Sequence, residues 1–169
     1  MPQTYDSIAS ETLSSAQATI TFSNISGSYT DLILVMQGRH ETGGVNRDIY
    51  LRYNQDTNAN YSSTRLSATG NGTPTSDRLT STWTSIWSGY WYSDSSSDFS
   101  TSIIQIQNYS NTTTFKTCLT RQYAVNHNSQ WATVGCWRST SAITRIDITV
   151  PSASFASGST FTLYGIKAA

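Results

Sequence analysis

The sequence predicts an all-β protein: an antiparallel β-sandwich of jelly-roll type with about nine strands. Three observations carry that expectation. Apolar residues recur at every second position in short runs. Clusters of Gly, Asn, Asp and Ser punctuate those runs. No long stretch repeats its apolar residues at helical spacing.

Each element follows from its own residues. "ATITF" sets Ile20 and Phe22 on one face against Thr19 and Thr21 on the other, giving a strand over 17–23. "DLILVMQ" is apolar almost throughout, as a strand covered on both faces would be, and gives 31–38. Further strands are expected at 47–53, 81–88, 100–109, 115–124 and 131–138. "IDITV" alternates Ile146, Ile148 and Val150 with Asp147 and Thr149, within 143–150. "FTLYG" repeats the pattern within 160–166. Threonine on the wet face suits a pleated, half-exposed surface. One short helix is expected near 58–66, with Asn58 or Asn60 as its N-cap. The chain reads as a single domain over 1–169, with the polar segment 1–15, carrying only Ile8 and Leu13 as sizeable aliphatic residues, as an arm that docks on a neighbour.

One hairpin can be taken to its register. A symmetric loop centred near His127 pairs Cys118 with Cys136, Thr120 with Val134 and Tyr123 with Trp131. Two facing cysteines leave two readings, a disulfide or a pair of buried thiols, and a reducing cytosol favours the thiols. A Cys-x-x-Cys spacing is absent, so neither zinc nor dithiol chemistry is indicated.

Composition removes several function classes. Charged residues are 12% of the chain, the formal net charge is zero, and Lys116 and Lys167 are the two lysines. A nucleic-acid surface needs clustered cations, so no nucleic acid is expected as partner. No apolar run is long enough for a membrane helix, and the start "MPQTYDSIASETLSSAQ" lacks the basic and apolar regions of a signal peptide. Synthesis in the cytoplasm is the expectation.

Residues for catalysis are sparse. His40 and His127 sit beside polar residues at strand ends or loops and read as solvated side chains. No Gly-x-Ser-x-Gly elbow occurs, the carboxylates lie mostly in turns, and "GNG" at 70–72 is a turn rather than a phosphate cradle. In "YLRYNQDTNANYSSTRL" the oxygen-bearing residues Asn54, Asp56, Asn58 and Asn60 alternate as calcium ligands do. Counted from Asn54, however, Ala59 stands where a calcium loop needs glycine and Arg65 where it needs glutamate. No catalytic residue, metal site or cofactor is expected, and the segment reads as a polar turn. The candidate binding surface is "WTSIWSGYWY", with Trp83, Trp87, Tyr90, Trp91 and Tyr92. Flat aromatics serve a core, a subunit interface or a sugar ring, and packing in the core or between subunits is favoured over contact with a glycan. Trp83 and Trp87 share a strand face, and Trp91 joins them unless a bulge near Gly89 intervenes.

Several segments in order resemble a recurrent domain of tailed-bacteriophage structural proteins, found in marine and freshwater phages including cyanophages. They are "TLSSAQATITFSNISGSYTDLILVMQG", "RYNQDTNANYSSTRL", "NYSNTTTFKT", "WRSTSAI" and "FASGSTFTLYGIKA". The resemblance spans nearly the whole chain except about 80–100; Cys118 and Cys136 depart from its usual small or β-branched residues. It implies a jelly-roll-like sandwich on a virion, non-enzymatic, a capsid decoration (cement) protein or short fibre. It also implies a homotrimer contacting other capsid or tail proteins, here as a free-standing copy. The other expectation is a host-attachment module that binds a surface glycan through the 83–92 aromatics.

Overall fold

In a computed structural model, residues 4–70, 72–93, 97, 99–124 and 128–167 are described, apart from the side chains of 80–82. Twelve strands make up the described secondary structure: β1 (Tyr5–Thr12), β2 (Thr19–Phe22), β3 (Asp31–Gly38), β4 (Val45–Tyr53), β5 (Tyr61–Thr69), β6 (Thr75–Trp83), β7 (Ile86–Ser93), β8 (Ser100–Gln107), β9 (Lys116–Ala124), β10 (Ser129–Trp137), β11 (Ile146–Thr149) and β12 (Thr160–Ile166). They form an eight-stranded sheet, ordered β1-β12-β3-β8-β9-β10-β5-β6, and a four-stranded sheet, ordered β2-β11-β4-β7, with every pairing antiparallel.

The connectivity is that of a jelly roll. From β2 through β5 the chain changes sheet at each step, and it does so again at β6–β7–β8. The β9–β10 hairpin is inserted between β8 and β5, and the β12–β1 ribbon widens the sheet beyond β3. The inward residues of both sheets meet in one core: Leu34, Ile104 and Leu163 from the larger, Ile20, Leu51 and Ile148 from the smaller, all inaccessible to solvent.

Four expectations change. First, the count rises from nine strands to twelve. Second, the short helix near 58–66 is absent, because Tyr61–Thr69 is β5, ladder-bonded to β10 and β6. Asn54 and Gln55, at φ 50 and 58, instead make a tight turn closed by the Asp56 N–H donating to the Tyr53 carbonyl at 2.9 Å. The Asp56 carboxylate then accepts from the Asn58 N–H at 2.9 Å, a second turn that delivers the chain from one sheet to the other. Third, 5–12 is not a free arm, since β1 pairs with β12 of its own chain. Fourth, the strand expected at 81–88 is the end of β6, a bend at Thr84–Ser85 and the start of β7.

The hairpin register also slips by one residue. Cys118 pairs with Gly135, Cys136 with Thr117, Thr120 with Thr133 and Tyr123 with Gln130. One residue of slip sends the two cysteines to opposite faces, so both are free thiols. Gly135 is needed at its place: a Cβ there would lie 2.5 Å from Ile86 and 2.9 Å from the Cys118 sulfur. His127 lies outside the described residues.

Candidate functional site

The aromatic segment does not form one platform. Trp83 ends β6, while Trp87, Tyr90, Trp91 and Tyr92 belong to β7. In the β4–β7 ladder Ile49 faces Gly89 and Tyr50 faces Trp87, leaving Ser88 as an extra residue, beside the glycine where a bulge was expected. The bulge separates the tryptophans. Trp91, fully buried, packs on Phe155 and Phe161 at 5.3 and 6.0 Å and donates its indole N–H to Ser102 at 2.9 Å. Trp87, 2% exposed, enters a smaller cluster with Ala124 and Trp131, bordered by half-buried Tyr50, Leu79, Tyr90 and Tyr92. Gly89, at φ 134, allows this crossing; a Cβ there would sit 1.9 Å from the Gln122 amide oxygen.

Charges edge that smaller cluster. The Arg65 guanidinium lies 4.4 Å above the Trp87 ring, pairs with Asp77 at 2.7 Å and bonds the Tyr90 hydroxyl at 3.5 Å. Trp87 donates its indole N–H to Asp48 at 2.5 Å. Burial, with the neighbouring Asp48 charge, pushes the Tyr50 hydroxyl far above its ordinary range, so it stays neutral. Trp87 and Trp91 are therefore interior residues, unable to stack on a sugar. Trp83, Tyr90 and Tyr92 keep partial exposure, with Trp83 stacked on Tyr50 at 5.8 Å.

His40 is also interior, contrary to a solvated loop position. It is wholly buried, its Nε2 3.0 Å from the Trp91 carbonyl, and burial lowers its pKa below 6.5 despite that contact. The alternating Asn/Asp segment is equally occupied. Asp56 accepts from the Trp137 indole (2.7 Å), the Asn60 amide (2.9 Å) and both the backbone and side-chain nitrogens of Asn58 (2.9 and 2.7 Å). Burial opposes its charge, but those donors together hold its pKa below 3.8. Its oxygens serve the fold. Among the described residues no three His, Cys, Asp or Glu side chains gather as a metal ion would need.

The surface that sequence reading missed is the outer face of the eight-stranded sheet. Alternation on β9, β10 and β5 points Leu119, Val134 and Leu66 outward, 41, 50 and 63% exposed. The ladders align them: Leu119 is opposite Val134, and Ala132 opposite both Arg121 and Leu66. Half-buried Ile103 and Val35 continue the row on β8 and β3. Two open grooves, about 620 and 660 Å³, adjoin here and share Leu66, Arg121 and Ala132. Arg121 is the cation between them, and no hydrogen bond or ion pair engages it among the described residues. The signal was present in "KTCLTRQYA" and "SQWATVGCW", but only the true register shows which alternate residues lie outside.

No protein-family model matches the chain, and no curated protein matches it. Among solved structures it is similar to the marine PL-14 alginate lyase from Aplysia kurodai, at 11% identity, with a TM-score of 0.35, over 84% of this chain and 70% of that one. So loose a likeness carries no argument about activity.

Proposed function

We propose that the protein is a non-enzymatic structural component of a tailed-phage virion: a capsid decoration protein or short fibre that assembles as a symmetric oligomer, such as a homotrimer, on the particle surface. The observation that carries this reading is the aliphatic outer face centred on Leu66, Leu119 and Val134, beside sheet strands whose inner residues are already packed. A contiguous exposed apolar surface marks a protein contact, and aliphatic side chains suit a protein partner better than a sugar, which favours aromatic platforms. The family resemblance of the sequence motifs and the low surface charge support the same reading.

The test is binding to particles. Purified protein is expected to be oligomeric and to bind capsids that lack it, in a fixed number of copies seen by cryo-electron microscopy. A monomer that leaves such capsids bare overturns the decoration reading. Host attachment through the 83–92 segment is the competing function, now resting on Trp83, Tyr90 and Tyr92 alone. It requires tryptophan fluorescence to respond to host polysaccharide, and the response to weaken in Trp83→Ala.

A further inference from the structure

We propose that the groove around Arg121 is filled by the turn carrying Glu41 from a second copy of the chain, in a head-to-tail contact that closes into a ring. The inference rests on the assembly reading above and names the contact that would make the oligomer.

Shape and charge together exclude the simplest self-contact. Two copies of a groove set face to face would leave a void and bring two Arg121 guanidinium groups toward each other. The groove instead fits a protruding element with apolar flanks and one carboxylate. The chain supplies such an element. Among the described carboxylates, Asp6, Asp77 and Asp147 are ion-paired. Glu11, Asp31, Asp48 and Asp56 accept hydrogen bonds from Gln17, Asn108, Trp87 and Trp137 respectively. Among these described carboxylates, Glu41 alone has its side chain unengaged.

Glu41 lies in the turn between β3 and β4, exposed with Gly43, Gly44 and Val45, the last at 37%. The turn is held in place from beneath. The Glu41 N–H donates to the Ser154 carbonyl at 3.0 Å and the Gly44 N–H to the Ser93 carbonyl at 2.6 Å. Because the turn's backbone is already ordered, docking costs it little main-chain freedom, and Val45, exposed in the same segment, suits the aliphatic walls of the groove. The contact joins two different patches, so each copy offers one groove and one turn, as a cyclic oligomer requires.

Charge exchange tests it. Arg121→Glu and Glu41→Arg each replace an exposed side chain, and sedimentation velocity and native mass spectrometry read the assembly. Each single reversal should raise the dissociation constant by about tenfold or more, and the double exchange should bring it back to within about threefold of the parent. The neutral variants Arg121→Gln and Glu41→Gln should fall between, guarding against a fold defect. Unchanged assembly in the single variants, no recovery in the double, or a parent chain that stays monomeric would overturn the contact. So would a Trp131 fluorescence response to an oligouronate that Arg121→Glu abolishes, since the groove would then take an acidic glycan. A monomer that still binds capsids sinks this contact and spares the decoration role; a ring-former that ignores capsids does the reverse.

Discussion

The protein keeps its aromatic side chains in two compartments that differ in closure. Around Trp91, Phe155 and Phe161 the rings meet at 5.0 to 6.0 Å, and His40 and Ser102 bond Trp91 in the same dry space. Around Trp87 and Trp131 the bordering residues are half-exposed, and Arg65 and Asp48 bring charge to the rim. Two tryptophans four positions apart in one strand thus have different tasks, because one extra residue at Ser88 turns them into different spaces. Residue type alone does not say whether an aromatic is an anchor or a border; the local ladder does.

The largest effect should come from the closed compartment. Trp91→Ala removes a buried ring and leaves the Ser102 hydroxyl without its donor, and is expected to cost about 4 kcal/mol in urea unfolding. Trp87→Ala should cost about 1 kcal/mol less, since its bordering residues can relax toward solvent. Equal losses would mean that the compartments are equally closed. The closed side should also respond to pH. His40 has a folded pKa below 6.5, so the unfolded chain binds its proton first. Stability should therefore fall as pH drops from 6.5 toward that lower folded value, and His40→Gln should flatten the slope.

Asp56 comes next. It fastens Trp137, which stacks on Tyr61 at 6.1 Å within the closed core. Asp56→Ala leaves the indole N–H and the Asn60 amide without their acceptor and should cost about 2 kcal/mol. Its carboxyl is held below 3.8, so the stabilisation is present above that pH and is lost on acidification through the lower folded value. A parent protein whose stability is flat below pH 3.8 would show that the four donors do not favour the charged form.

Arg65 probes the open compartment more gently. Arg65→Ala removes a guanidinium that covers Trp87 and an ion pair whose Asp77 partner is half-exposed, for about 1 kcal/mol. The aromatic near-ultraviolet circular dichroism should change more than the stability does. A loss as large as that of Trp91→Ala would place Arg65 inside a closed core rather than at its border.

Much of the fold was legible because alternation is a local signal. The strands at 31–38 and 160–166 lie where "DLILVMQ" and "FTLYG" place them. What failed needed partners distant in sequence. Tyr61–Thr69 carries Asn, Ser and Arg in and around it that suit a capped helix, yet its ladders to β10 and β6 decide for strand. The 83–92 aromatics were visible as a cluster, but the bend at Thr84–Ser85 and the bulge at Ser88 that divide them appear only in the ladder. The outer groove was hidden for a related reason: a one-residue error in register exchanges one strand's share of the lining for its core residues.

That register gives the smallest predicted effect. With Cys118 opposite Gly135 and Cys136 opposite Thr117, no disulfide bridges the hairpin. Cys136→Ser alters a half-exposed thiol and should change stability by about 0.5 kcal/mol or less. Burial raises the Cys118 thiol to about 11, so it stays protonated and unreactive at neutral pH. Thermal melts with and without reductant should coincide, and thiol titration of the folded protein should find Cys136 before Cys118. A reductant-sensitive melt in the parent, absent in Cys136→Ser, would mean that the cysteines face each other after all. One of the two strands would then carry its outer residues inward, and the row that joins Leu119 to Val134 would be broken.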